Sequence, residues 1–198
     1  RTMLESLFKK GKTSCKLILS PTIPFQDSEE LQRIVEDLRK NRVDQFEGLM
    51  IKKKGSEYVS GRPKGEWFKW KKEPHLVDAV LMYAQRGHGK RSSFYSDYTF
   101  GLWEENNLLP IGKAYFGFTD AELGLLDKWV RNNTVDRFGP VRGVKPGLVI
   151  EIAFDSIHHS NRRKSGVALR FPRVNRIRWD KPVKEADTMA TLKDLLAQ

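Results

Sequence analysis

Thr119-Asp-Ala-Glu-Leu-Gly-Leu-Leu-Asp-Lys-Trp-Val130 reads as a single helix with a marked start. Thr119 and Glu122, three residues apart, form a capping box, and Leu123, Leu126, Trp129 and Val130 then fall on one apolar stripe. The sequence on either side is strand-like. Residues 77–86, 94–103 and 109–116 are β-prone runs before the helix; residues 148–154, 167–171 and 174–179 follow it. A short terminal helix is expected over residues 188–197.

Three strands, a helix, then two or three strands is the order of an OB-fold, a small Greek-key barrel often used on nucleic acids. The expected fold is therefore α+β and mostly β, with a five-stranded barrel and one helix between its third and fourth strands. The first part of the chain follows another pattern. A helix is expected to end at Gly11, and a short strand covers residues 16–20. Asp27 then caps a helix carrying Leu31, Ile34, Val35 and Leu38. Residues 46–53 suit a buried strand. Residues 67–71 alternate strictly, setting Phe68 and Trp70 on one face and Lys69 and Lys71 on the other. Glu73-Pro74 breaks that pattern, so the domain boundary is drawn between residues 1–72 and 73–198.

Composition narrows the partners. The 198 residues carry 36 Lys and Arg against 25 Asp and Glu, a formal net charge of +11. Such an excess fits a polyanion, most commonly nucleic acid, although a merely basic soluble protein would look the same. Cys15 is the only cysteine, which excludes an intrachain disulfide and suits a reducing, cytoplasmic setting. His75, His88, His158 and His159 have no metal-ligand spacing with Cys15. No apolar run reaches membrane-spanning length, so no membrane partner is expected.

Three segments carry chemistry. Arg170-Phe-Pro-Arg-Val-Asn-Arg-Ile-Arg-Trp-Asp-Lys181 concentrates cations that would not survive burial without partners. It suits either a solvated basic edge or a polyphosphate site, and Pro172 places it at an edge or bulge. Trp67-Phe-Lys-Trp-Lys-Lys72 sets two ammonium groups side by side, an arrangement that full hydration or a bound anion can stabilise. Glu47-Gly-Leu-Met-Ile-Lys52 puts a carboxylate near that pair. Next to a phosphate, a carboxylate needs a divalent cation or a basic neighbour between the two negative groups.

In chain order these segments resemble the last three motifs of ATP-dependent DNA ligases, within the covalent nucleotidyltransferases. The Arg170-Phe-Pro-Arg173 wording disfavours the related RNA ligases and capping enzymes. The resemblance runs from about Gln45 to Lys181 and implies the end of an adenylation domain over residues 1–72, then an OB domain over 73–198. The family's Lys-x-Asp-Gly motif, whose lysine takes AMP, occurs nowhere in these residues. The resemblance therefore implies a C-terminal part whose nucleophile lies upstream, inactive alone in self-adenylation.

The resemblance also implies roles. Lys69, Lys71 and Glu47 would be catalytic, with Glu47 positioning Mg2+. Lys52, Arg170, Arg173, Arg176, Asp180 and Lys181 would bind ATP. The loops containing Arg86, Lys90 and Arg91, and Arg162, Arg163 and Lys164, would meet DNA. The implied partners are nicked duplex DNA and ATP or AMP, with the enzyme a cytoplasmic monomer serving replication, recombination or repair. The rival from another class is a stand-alone DNA-binding OB module with vestigial motifs.

Overall fold

A local signal starts the longer described helix of the first 72 residues in the computed structural model, which describes residues 1–10, 19–41, 46–57, 59–87, 94–115 and 117–197. Helix α1 spans Thr2–Lys10, and α2 spans Ser28–Asn41. The Asp27 side chain accepts the Glu30 amide at 2.8 Å, as an N-cap should, and α2 buries Leu31 and Val35. Most of the strand expected over residues 16–20 lies outside the described residues. Strands β1 (Gly48–Lys52) and β2 (Trp67–Lys71) form an antiparallel pair. The chain divides into two units, Arg1–Lys72 and Glu73–Gln198.

The second unit is a curled antiparallel sheet. Its long strand β3 (His75–Arg86) pairs with β4 (Tyr95–Glu104), which pairs with β5 (Asn107–Ala114). Helix α3 (Asp120–Asn132) follows, capped by Thr119 and Glu122 in the expected box. A hairpin of β6 (Thr134–Phe138) and β7 (Val141–Val144) comes next, then β8 (Val149–Phe154). Strands β9 (Ser156–His159) and β10 (Val167–Arg170) form a separate pair; β11 (Arg173–Arg178) returns to the main sheet. The main path runs β11-β8-β3-β4-β5.

Curvature has visible causes. Strand β3 meets β8 over His75–Val80 but β7 over Tyr83–Gln85, and its register against β4 slips twice along the way. Extra residues of this kind bend a strand and increase its twist. The inner face gathers Leu81, Tyr98, Phe100, Ile111, Ile150, Ile152 and Phe154, against which α3 packs Leu126 and Val130. Helix α4 (Met189–Ala197) adds Met189 and Leu192. Each fully buried side chain of this size contributes about 1.5–3 kcal/mol.

Sequence periodicity did not anticipate the β6–β7 hairpin or β9. Thr134–Phe138 is exposed along most of its length, so no apolar alternation marks it. Strand β10, expected as part of the barrel, pairs instead with β9. The outer face of the sheet is dry at one end, where Val80, Val149 and Ala186 pack with Trp103, Leu108 and Val183.

Candidate functional site

In the first unit, the ladder aligns Gly48 with Lys71, Met50 with Lys69 and Lys52 with Trp67. Directly opposed residues share a face, so Lys52, Lys69 and Lys71 lie on the same side, while Leu49, Ile51, Phe68 and Trp70 take the other. The three lysines are thereby brought together by strand pairing although Lys52 lies seventeen or more positions before the other two. The Lys52 ammonium sits 4.2 Å from the centre of the Trp67 ring, and Trp67 Nε1 donates to Ser56 Oγ at 3.2 Å. Lys53 is drawn aside to Glu66 at 3.1 Å.

Glu47 is held at the opposite end of β1 from Lys52. Its carbonyl accepts the Lys72 amide at 3.3 Å, so the residue borders the Lys71–Lys72 end of β2. Gly48 then enters the strand at φ 138°, and a β-carbon there would collide with the Trp70 carbonyl oxygen. Glycine is what lets the two backbones close at this point. Among the described residues no group of three or more His, Cys, Asp or Glu could hold a metal alone. A single hard carboxylate beside basic residues still suits Mg2+, which typically takes one or two carboxylates and completes its shell with phosphate oxygens and water.

In the second unit, the basic C-terminal segment is paired, not loose. Arg170 ends β10 with its guanidinium 5.3 Å from the Phe171 ring. Phe171 adopts φ 52° and is largely exposed, a left-handed kink before Pro172 that sets off β11. Arg173 bonds Asp155 at 2.9 Å, and Arg176 approaches Glu151 at 3.3 Å. Arg178 reaches Asp78 at 3.0 Å and grips Asp180 through Nε and Nη2. Lys181 reaches the same Asp78 oxygen at 2.7 Å. Hydrogen bonding from Arg178 holds the Asp180 carboxyl below its ordinary range, and the bond to Asp180 raises Arg178 in return. The segment forms the edge strand that Pro172 implied, anchored inward by Val174 and Ile177.

The two basic loops fare differently. Arg86 is exposed at the end of β3, with its guanidinium 5.9 Å from the Tyr95 ring. Lys90 and Arg91 lie outside the described residues. Arg162 and Lys164 are exposed between β9 and β10. Arg163, between them, is also exposed but turns back to donate to the Ile111 carbonyl at 3.2 Å, so one of its five donors serves the fold.

Residues 91–181 match the family described as ATP dependent DNA ligase C terminal region. A probable DNA ligase of Koribacter versatilis is 41% identical over 189 residues, covering 96% of this chain and 32% of that relative. The chain belongs to the ATP-dependent DNA ligases, in their C-terminal portion. A probable DNA ligase of Opitutus terrae is 47% identical over 154 residues, covering 76% of this chain and 15% of the relative. The chain thus spans about a third of the Koribacter ligase's length, and less of the other. A solved Lig E DNA ligase, described as binding DNA with a minimal scaffold, shares the fold at a TM-score of 0.61. It is 19% identical, with coverage of 89% of this chain and 56% of that one.

Sequence reading of the ligase segment missed the carboxylates that hold its cations: Asp78, Glu151 and Asp155. A signal for two of them was available. Asp78 interrupts Leu76-Val-Asp-Ala-Val-Leu81 and Glu151 interrupts Val149-Ile-Glu-Ile-Ala-Phe154. A lone acid in an otherwise apolar strand calls for a cation partner.

Proposed function

We propose that this chain provides the phosphate-handling part of a ligase that seals 5′-phosphate/3′-hydroxyl nicks in duplex DNA. Residues 1–72 are the end of the adenylation domain and 73–198 the OB domain. In the first step a lysine outside these residues attacks the α-phosphate of ATP, forming a phosphoramidate and expelling pyrophosphate. AMP then passes to the 5′-phosphate of the nick. The 3′-hydroxyl displaces AMP, giving the phosphodiester and the sealed strand.

The observation that carries this reading is the shared face of Lys52, Lys69 and Lys71 in a chain of this family, with Glu47 at the Lys71–Lys72 end of the ladder. Each step gathers negative charge on a phosphoryl group, and fixed ammonium groups stabilise that charge without reorganising. Lys69 and Lys71 are spaced about 7 Å apart along β2, enough to address different oxygens of one phosphate chain. Mg2+, when bound near Glu47, would supply further charge neutralisation. The OB domain would track the duplex through Arg86, Lys90, Arg91, Arg162 and Lys164. The enzyme is read as a cytoplasmic monomer.

The test joins this chain to the upstream segment of the Koribacter ligase and assays ATP-dependent sealing of a singly nicked duplex. Lys69→Ala with Lys71→Ala should reduce sealing by at least about a hundredfold, the usual scale for losing fixed charge-stabilising donors. Sealing that survives the double substitution would remove the catalytic assignment. A second reading, a DNA-binding module with vestigial motifs, draws on the internal pairing of Arg173, Arg176, Arg178 and Lys181. It requires nick binding that falls with salt and ignores ATP.

A further inference from the structure

Three cations and three carboxylates meet on the outer face of the sheet, where Arg176, Arg178 and Lys181 face Asp78, Glu151 and Asp180. The cluster is electrically balanced. A balanced cluster does not attract a polyphosphate, although arginine forks and a nearby ammonium are well suited to one. The imbalance lies in how the charges are shared. Arg178 and Lys181 both bond Oδ2 of Asp78, while Oδ1 of that residue is buried with no partner among the described residues. Two cations crowd one oxygen, whereas a phosphate chain offers each its own.

Asp78 cannot follow the cations if they leave. Its amide donates to Asp187 Oδ2 at 2.8 Å, its carbonyl accepts the Asp187 amide at 2.9 Å, and the residue is 8% exposed as part of β3. Arg178 closes β11, and Lys181 sits in the turn just after it, where the Lys181 amide bonds the Arg178 carbonyl at 3.2 Å. Both have long side chains that reach Asp78 from the sheet edge and are 19% exposed. Asp78 is fixed within β3, so any release must move the cations.

We infer that Asp78 is an internal stand-in for phosphate, a latch that holds Arg178 and Lys181 until the polyphosphate of a nucleotide takes them. The inference rests on the proposed reading that this segment meets ATP, and makes Asp78 a positioning residue that acts through Arg178 and Lys181. Its removal should unmask an anion site that the native pairing keeps neutral.

The experiment titrates the 198-residue chain with inorganic tripolyphosphate by calorimetry at low salt. Asp78→Asn, which keeps the shape and drops the charge, should tighten binding by roughly tenfold, the order of one charge interaction at a largely buried site. Adding Lys181→Met should abolish most of that gain. A folded Asp78→Asn chain with unchanged affinity overturns the latch, and so does a gain that persists without Lys181, since the released ammonium would then not be what takes the anion. An equal gain from Asp194→Asn, an exposed carboxylate on α4, overturns it too, since that reports only net charge. If Asp78→Asn does not fold, Glu151→Gln removes a second carboxylate of the cluster, 3.9 Å from Arg178; a rise of roughly threefold supports the latch, and none overturns it. Nick sealing is a separate readout. A fusion that fails to seal while the chain shows the gain loses the ligase reading but keeps the anion site, and the converse result loses the latch alone.

Discussion

Lys52 carries its ammonium 4.2 Å from the centre of the Trp67 ring, directly across the β1–β2 ladder. A cation over an aromatic face is worth about 0.5–1 kcal/mol at an exposed site and, more to the point, confines a side chain that would otherwise sweep freely. In sequence, Lys52 opens a run of three lysines that could all be solvated; the ring distinguishes it from Lys53, which pairs with Glu66. The ε-methylene protons of Lys52 should therefore show an upfield ring-current shift in NMR spectra. Trp67→Leu should return them to the position of the other lysines, and an unshifted Lys52 in the parent chain would refute the placement.

Gly48 is predicted to be the least replaceable residue of the first unit. Its φ of 138° is one that other residues rarely adopt, and a β-carbon would meet the Trp70 carbonyl. Backbone strain of this kind costs about 1–3 kcal/mol, before any steric displacement of β2 is counted. Gly48→Ala should lower the unfolding midpoint of the first unit and expose β1–β2 to protease. Gly55→Ala, at φ 82° with open space around it, should cost less, since only the backbone term applies. Equal losses would mean that the close approach to Trp70 is not limiting.

How far the fold was legible depended on whether an element buries one face. Helix α3 and strands β3, β4, β5, β8 and β11 were each found within a few residues because Leu126, Phe100, Ile111, Ile152 and Ile177 mark an inward face. The β6–β7 hairpin was not found: Val135 and Phe138 point outward, so its pairing follows from the ladder to β3 and not from its own pattern. The site divides in the same way. Alternation alone put Lys69 and Lys71 on one face, but no local pattern ties Lys52 to them; that needs the β1–β2 register. Likewise Arg178 and Asp78 are a hundred residues apart, and only the β3-β8-β11 order unites them.

The loop between β9 and β10 yields a prediction that separates fold from binding. Arg162, Arg163 and Lys164 are all exposed, but Arg163 also bonds the Ile111 carbonyl at 3.2 Å. If the loop tracks a DNA backbone, Arg162→Ala and Lys164→Ala should each reduce the slope of log K against log salt by about 0.9, the value for one phosphate contact. Arg163→Ala should instead cost about 1 kcal/mol of stability, the net worth of a typical hydrogen bond, and leave the slope nearly unchanged. Measuring duplex affinity between low and moderate salt, with thermal unfolding alongside, checks both. A slope that Arg163→Ala alters as strongly as its neighbours do would place that side chain on the DNA.

The capping box of α3 gives a pH signature with a defined sign. Thr119 donates to the Glu122 carboxylate from its amide and from its hydroxyl, each at 2.8 Å, and these bonds, the backbone one foremost, lower the Glu122 pKa. A carboxyl whose folded pKa lies below its unfolded value, about 4.3 for glutamate, binds protons more readily when unfolded. Its contribution is therefore fully present above that value and is lost as pH falls through the lower, folded one. The gap in unfolding temperature between the parent chain and Glu122→Gln should be constant near neutrality and shrink on acidification below about pH 4. Thr119→Ala removes the hydroxyl that accepts the Glu122 amide at 3.2 Å and should cost about 1 kcal/mol at neutral pH. A gap between parent and Glu122→Gln that widens in acid would contradict the box, because it would require the carboxyl to be stabilised in its protonated form.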